Sequence, residues 1–132
     1  MSNKLASILI VDDDNNLRCA LADIFADCGY TVRTAADGFA ALAEMKSELP
    51  DVLISDLNMP TMSGFELLSL VRSCFPEVGV IAMSGAYSGN GVPSGVEADA
   101  FYPKGGQSDR RLPEMISEIV ERDRSRFRRE MA

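Results

Sequence analysis

Two short apolar segments of this chain each end in acid. Ile8-Leu9-Ile10-Val11 runs into Asp12-Asp13-Asp14, and Val52-Leu53-Ile54-Ser55 runs into Asp56. Two further segments end in other chemistry: Ser84 follows Gly79-Val80-Ile81-Ala82-Met83, and Lys104 follows Phe101-Tyr102-Pro103. Continuous apolar runs of this length, bounded by polar residues, read as strands buried on both faces. Strands of a parallel sheet joined by helices all finish at one edge, so Asp12, Asp13 and Asp56 converge on one patch. Like charges about 4 Å apart repel by roughly 4 kcal/mol at an effective dielectric near 20. Such a patch requires either proton uptake or a divalent cation. Acidic oxygens for a hard cation, a carboxylate nucleophile, a hydroxyl and a fixed positive charge together suit phosphoryl transfer.

The elements that position these groups are legible in the periodicity. Leu17, Leu21, Ile24, Phe25 and Cys28 fall at i, i+4, i+7, i+8 and i+11, one face of a helix. Asp14 or Asn15 caps it and Gly29 stops it. Tyr30 to Ala35 is a more amphipathic strand, as at a sheet edge. Asp37 caps a helix from about Gly38 to Glu48 with Phe39, Leu42 and Met45 inward, and Pro50 ends it. Phe65 to Cys74 reads as a helix after the Pro60 and Gly64 loop, with Leu67, Leu68, Val71 and Cys74 available to the core. Strands follow at 79–83 and from Phe101. A last helix places Leu112, Met115, Ile116, Ile119 and Val120 on one face. Alternation of this kind predicts a doubly wound parallel α/β sheet binding its ligand at the strand carboxyl ends.

One stretch breaks the alternation. Between Ser84 and Phe101 the chain reads GAYSGNGVPSGVEADA. Four glycines at about 1 kcal/mol each and a proline at about 3 oppose a helix there. A loop is expected, with at most one or two helical turns around residues 94–99.

Composition bounds the rest. The 132 residues suit one domain, and a net charge of −7 argues against non-specific nucleic-acid binding. The balance is uneven: residues from Asp109 onward carry seven Arg against six acids. The Arg-rich end around Arg122, Arg124, Arg126, Arg128 and Arg129 reads as a solvated helix end whose cations complement its dipole. Three cysteines without CxxC spacing, and no His, argue against a zinc site or a disulfide framework and fit a reducing cytosol. The apolar run before Asp12 is only seven residues, too short for a signal or membrane segment. Arg18 and Asp23 read as exposed helix charges.

The segments VDDDNNLR, LISDLNMPTMSGFELL, IAMSGA and ADAFYPK, in that order, resemble the receiver domain of two-component response regulators. The resemblance runs from Lys4 to about Val120. It implies a flavodoxin-like five-stranded sheet of order 2-1-3-4-5, with the fourth helix here short or replaced by the Gly-rich loop. It divides the chain into a receiver over 1–121 and an Arg-rich extension over 122–132. Asp56 takes the phosphoacceptor position, Asp13 that of the direct magnesium ligand, and Asp12 that of a ligand acting mainly through water. The Asn58 backbone carbonyl completes the protein ligands. Ser84 takes the hydroxyl that follows the phosphoryl group, Lys104 the salt-bridging lysine and Phe101 the aromatic switch. Asn58 and Ala86 occupy positions that tune the lifetime of the phosphorylated form. Lys104 is followed by Gly105 where the family has proline.

The resemblance further implies a cytoplasmic signalling protein, not an enzyme, that accepts phosphate from a histidine kinase or phosphotransfer protein and switches binding to a downstream partner. A homodimer is open; nucleic-acid and membrane binding are not expected. No output domain fits after Val120, so output is expected through partner binding, phosphate relay or a further domain. One alternative is a receiver-like interaction module that docks without phosphorylation. Another, an aspartate-nucleophile phosphohydrolase of the haloacid dehalogenase type, wants a titratable acid where Asn58 stands.

Overall fold

The computed structural model describes residues 6–59, 62–84, 98–103 and 113–122. Five strands, β1 (Ser7–Val11), β2 (Thr31–Ala35), β3 (Val52–Asp56), β4 (Gly79–Ser84) and β5 (Ala100–Pro103), form one parallel sheet in the order β2-β1-β3-β4-β5. The helices are α1 (Asn15–Asp27), α2 (Gly38–Ser47), α3 (Gly64–Cys74) and α4 (residues 113–122). The doubly wound α/β class and strand order expected from the sequence are those observed. Residues 85–97 of the Gly-rich stretch, Ala86 among them, lie outside the described residues, as do Lys104, Gly105 and the Arg-rich segment 123–132.

Every residue of β3 and β4 is buried, which explains the apolar runs that precede their polar ends. Successive side chains alternate between two cores. Leu9, Val11, Leu53, Val80, Ala82 and Phe101 pack with Ala41 and Met45 of α2 and Leu67, Leu68 and Val71 of α3. Ile8, Ile10, Val52, Ile54, Ile81, Met83 and Tyr102 pack on the other face with Leu21 and Phe25 of α1 and Ile116 and Ile119 of α4. The outer strand β2 is mostly part-exposed, as its amphipathic sequence predicts.

Local chemistry sets the helix starts. The Asp14 carboxylate accepts from the N–H groups of Asn16 and Leu17, and that of Asp37 from Ala40. Ser63 caps α3 by accepting from Glu66. After α1 the chain turns at Gly29, whose φ of 99° is the left-handed geometry that favours glycine. At the opposite end of the sheet from the acids, the Asp51 side chain accepts from Ser7 N–H while its own backbone pairs with Ser7 and Gly79.

Three inward assignments are corrected. Phe39 is 61% exposed. The buried positions of α2 are Gly38, Ala41 and Met45, with Leu42 half-buried against the same core, so Leu42 and Met45 face inward as expected and Phe39 does not. A Cβ on Gly38 would lie 2.7 Å from the Met62 sulfur, so the first turn of α2 has no room for a phenyl group on that side. Cys28 and Cys74 are exposed. Cys28 is the C-cap of α1, and at the end of α3 the half-buried C-cap Phe75 packs on the core instead of Cys74.

The edge strand β5 is held from both helical layers. Asp99, just before it, receives Arg72 of α3 at 2.8 Å and Arg122 of α4 at 2.9 Å on one carboxylate oxygen. Its other oxygen accepts from Val80 N–H at 2.8 Å. Burial alone would raise the Asp99 carboxyl, but the hydrogen bonds from Arg72 and Val80 and the two guanidinium charges outweigh it and hold it below its ordinary value. No helix among the described residues is long and apolar enough to cross a membrane.

Candidate phosphoacceptor and metal site

The site is built at the carboxyl edge by register. Val11 of β1 pairs with Ser55 of β3, so Asp12 and Asp56 leave the sheet side by side. Asp56 in turn pairs with Met83, one residue before Ser84, and Ser84 pairs with Pro103, one residue before Lys104. Four of the predicted strand-end groups, Asp12, Asp13, Asp56 and Ser84, are thereby brought to one edge; the fifth, Lys104, lies outside the described residues.

One carboxylate oxygen from each of Asp12, Asp13 and Asp56 lies within 4.8 Å of the others. Asp12 and Asp56 are buried, at 0% and 3% exposure, while Asp13 faces solvent. Unit charges at that spacing repel by about 3 kcal/mol per pair at an effective dielectric near 20. The donor set is all oxygen, anionic and open on one side, which fits a hard divalent cation that keeps part of its water shell.

Asp12 and Asp56 are each held by local backbone bonds. Asp12 extends the ladder beyond β1 by donating its N–H to Ala35 O, and its Oδ1 accepts from Asp14 N–H at 2.9 Å. Asp14 is thus a cap and loop residue, as the sequence suggested. The Asp56 Oδ1 receives Asn58 N–H at 3.3 Å. The Asn58 side-chain amide donates to Ser84 Oγ at 3.1 Å, which links the phosphoacceptor loop to the end of β4. Asn58 itself is exposed at the mouth, and Ser84 is buried at 3%. Phe101 is buried on β5 opposite Ala82, in the core beneath α3.

Two contributors were not foreseen. Arg18, expected as an exposed charge, is half-buried and donates from Nη1 to the Asp12 carbonyl at 2.7 Å. Asp23 is exposed, as expected. Gly64, expected only as a loop residue, opens α3 and donates its N–H to Leu57 O. A Cβ there would fall 2.2 Å from Asp56 O and 2.5 Å from Leu57 Cα. Glycine therefore lets the start of α3 lie directly against the backbone of Asp56. The Ser-Gly pair after Met62 carries a signal for this, an N-cap followed by the smallest residue, but nothing in it names the strand approached.

Comparison with known proteins agrees with this geometry. The profile of the response regulator receiver domain matches residues 8–102. The response regulator MprA of Mycobacterium ulcerans is 32% identical over 124 residues, covering 92% of this chain and 50% of that protein. The DNA-binding transcriptional regulator NtrC of Salmonella typhimurium is 35% identical over 94 residues, covering 71% of this chain and 20% of that protein. The chain thus spans about half the length of the first relative and a fifth of the second. Among solved structures, the response regulator TrrA of Thermotoga maritima in complex with Mg2+ and BeF superposes with a TM-score of 0.78 at 29% identity, covering 87% of this chain and 99% of that one. By its sequence motifs, its strand order and this match, the chain belongs to the response regulator receiver domains of two-component signal transduction.

Proposed function

We propose that this chain is a phosphoaccepting receiver in which magnesium-dependent phosphoryl transfer from a phosphohistidine donor to Asp56 switches the binding of a downstream partner. The observation that carries the reading is Asp56, buried at the end of β3 with a carboxylate oxygen within 4.8 Å of those of Asp12 and Asp13. The complex of the Thermotoga relative with Mg2+ and BeF supports it. Asp13 and Asp56 would hold the ion directly, Asp12 through water, and the Asn58 carbonyl would complete the set. Magnesium, when bound, neutralises charge on the transferring phosphoryl oxygens.

The Asp56 carboxylate attacks phosphorus as the bond to the donor's imidazole nitrogen breaks, giving an acyl phosphate on the chain. Ser84 exchanges its bond from Asn58 for one to a phosphoryl oxygen, and Lys104 pairs with another. Movement of the β4 end makes room for Phe101 to turn, a shift between two packings biased by a local charge change. Asn58 and Ala86 set access of water to the acyl phosphate and hence its lifetime. The donor is a histidine kinase or phosphotransfer protein, and the role is that of a cytoplasmic signalling protein without multiple turnover. Residues 1–121 act as the receiver and 122–132 as an Arg-rich extension of α4.

Intact mass after incubation with acetyl phosphate and Mg2+ tests this. One added phosphoryl group is expected on the wild type, none after chelation with EDTA, and none on Asp56→Asn. No gain on the wild type, or an equal gain on the variant, rejects the reading and leaves an interaction module that docks without phosphate.

A further inference from the structure

Arg18 places a fixed positive charge beside a site suited to hold a second cation. It lies on the first turns of α1, close behind a cluster whose acids are suited to hold a divalent ion. Yet Arg18 is half-buried, and its two terminal nitrogens donate to two acceptors, neither of them a carboxylate. Nη1 donates to the Asp12 carbonyl at 2.7 Å and Nη2 to Asn15 Oδ1 at 2.6 Å. Asn15 and Arg18 are three residues apart on the helix, so they share a face, and the planar fork reaches back across the loop to the end of β1.

The bond falls at the one peptide that joins two of the three acids. The Asp12 N–H is held by Ala35 O, and its Oδ1 accepts from Asp14 N–H, which ties down the peptide after Asp13 and leaves the Asp12 carbonyl to Arg18. The carbonyl held by Arg18 sets the plane of the Asp12–Asp13 peptide, and with it the direction in which Asp13 leaves. Asp13 is exposed, so its direction rests on its backbone: on the Asp12 carbonyl held by Arg18 before it and on the Asp14 N–H after it. We propose that Arg18 is a positioning residue: it fixes the Asp12–Asp13 peptide so that both carboxylates face one cation. This deepens the reading of the cluster as a magnesium site and rests on it.

The two effects of Arg18 on a cation have opposite signs. As a nearby positive charge it weakens binding, so its removal would tighten the site. As a brace it strengthens binding, so its removal loosens the site. A charge-assisted hydrogen bond is strong enough for the second effect to win, and a weakening on the order of tenfold is expected.

The test is equilibrium binding of Mn2+ to the full chain, read as free ion by electron paramagnetic resonance, with Mg2+ as competitor. Arg18→Gln should bind about tenfold more weakly than the wild type. Arg18→Lys, which keeps the charge and can reach the Asp12 carbonyl but lacks the fork, should recover part of the loss. Asn15→Ala removes only the second anchor from an exposed position and should weaken binding by a smaller factor. That variant carries the test if Arg18→Gln does not fold. Thermal melts without metal separate metal affinity from folding. Unchanged or tighter Mn2+ binding by Arg18→Gln, or by Asn15→Ala in its place, overturns the brace. Failure of the wild type itself to bind Mn2+ or Mg2+ overturns the metal-site reading along with it.

Discussion

Asp99 is the residue at which one substitution should cost the most outside the core. Its carboxylate binds a guanidinium from each helical layer and a backbone N–H of β4, and its side chain is only 15% exposed. In Asp99→Asn the amide oxygen can still accept from Val80, but the charge that gathers Arg72 and Arg122 is gone. Hydrogen bonds to charged groups are worth about 1.5–3 kcal/mol each, and Arg122 is half exposed at 48%, which discounts its share. The two guanidinium nitrogens share one oxygen, so they lie within about 6 Å of each other, where unscreened like charges at an effective dielectric near 20 repel by roughly 3 kcal/mol. Water around Arg122 reduces that to a fraction. A net loss of about 1–2 kcal/mol is expected for Asp99→Asn, and about 3 kcal/mol for Asp99→Ala, which also strands the Val80 N–H. For a domain of this size that corresponds to roughly 3–10 °C in the melting temperature for the Asn variant.

The pH dependence gives a second, independent readout. The folded-state carboxyl is held below its ordinary value, so its contribution is fully present above the unfolded value near 3.9 and is lost as the pH falls through the folded one. Thermal melts of wild type and Asp99→Asn should therefore differ by a constant amount from pH 7 to about pH 5. The gap should close below pH 4. Coincident melts at pH 7, or a gap that persists unchanged into acid, would refute the reasoning.

Gly64→Ala drives a methyl into the Asp56 and Leu57 backbone, which cannot yield as a side chain can, so a loss of about 2–3 kcal/mol is expected by urea denaturation, with slower phosphoryl gain by intact mass. Gly38→Ala meets mainly the flexible Met62 side chain, so it should lose less than about 1 kcal/mol and leave phosphoryl gain unchanged. Arg33 ties β2 to α2 through the Glu44 carboxylate and the Glu44 and Glu48 carbonyls; Arg33→Ala should lose about 1 kcal/mol by the same measurement. Ser84→Ala removes the acceptor of the Asn58 amide and should change stability by under about 1 kcal/mol. Phosphoryl gain on Asp56 should persist in it, while the shift of Phe101 resonances on adding Mg2+ and BeF shrinks relative to the wild type.

Much of the scaffold was legible because it is encoded locally. β3 begins with its apolar run and ends on the aspartate that closes it, and α1 and α2 start just after the aspartates whose carboxylates cap them. Phe39 shows where this stops. A three-residue stripe in a short helix fits more than one face, and the choice was made by Met62 packing on Gly38 rather than by periodicity. Arg18 was misread for a related reason. Its position on the helix was clear, but the direction of a long, flexible side chain follows from the carbonyl it finds at the end of β1.

The sequence alone determined which groups end each strand: acids on β1 and β3, a hydroxyl on β4. A strand's apolar run and the residue that closes it are contiguous in the chain, so no distant contact is needed to read them. Only the tertiary structure decided that Asp12, Asp13 and Asp56 share a volume less than 5 Å across. That distance depends on β1 lying next to β3 in a register that pairs Val11 with Ser55, and both are settled by packing between segments far apart in sequence. The same holds for the start of α3 against Asp56 and for the meeting of Arg72, Asp99 and Arg122. Each joins elements that no local pattern connects.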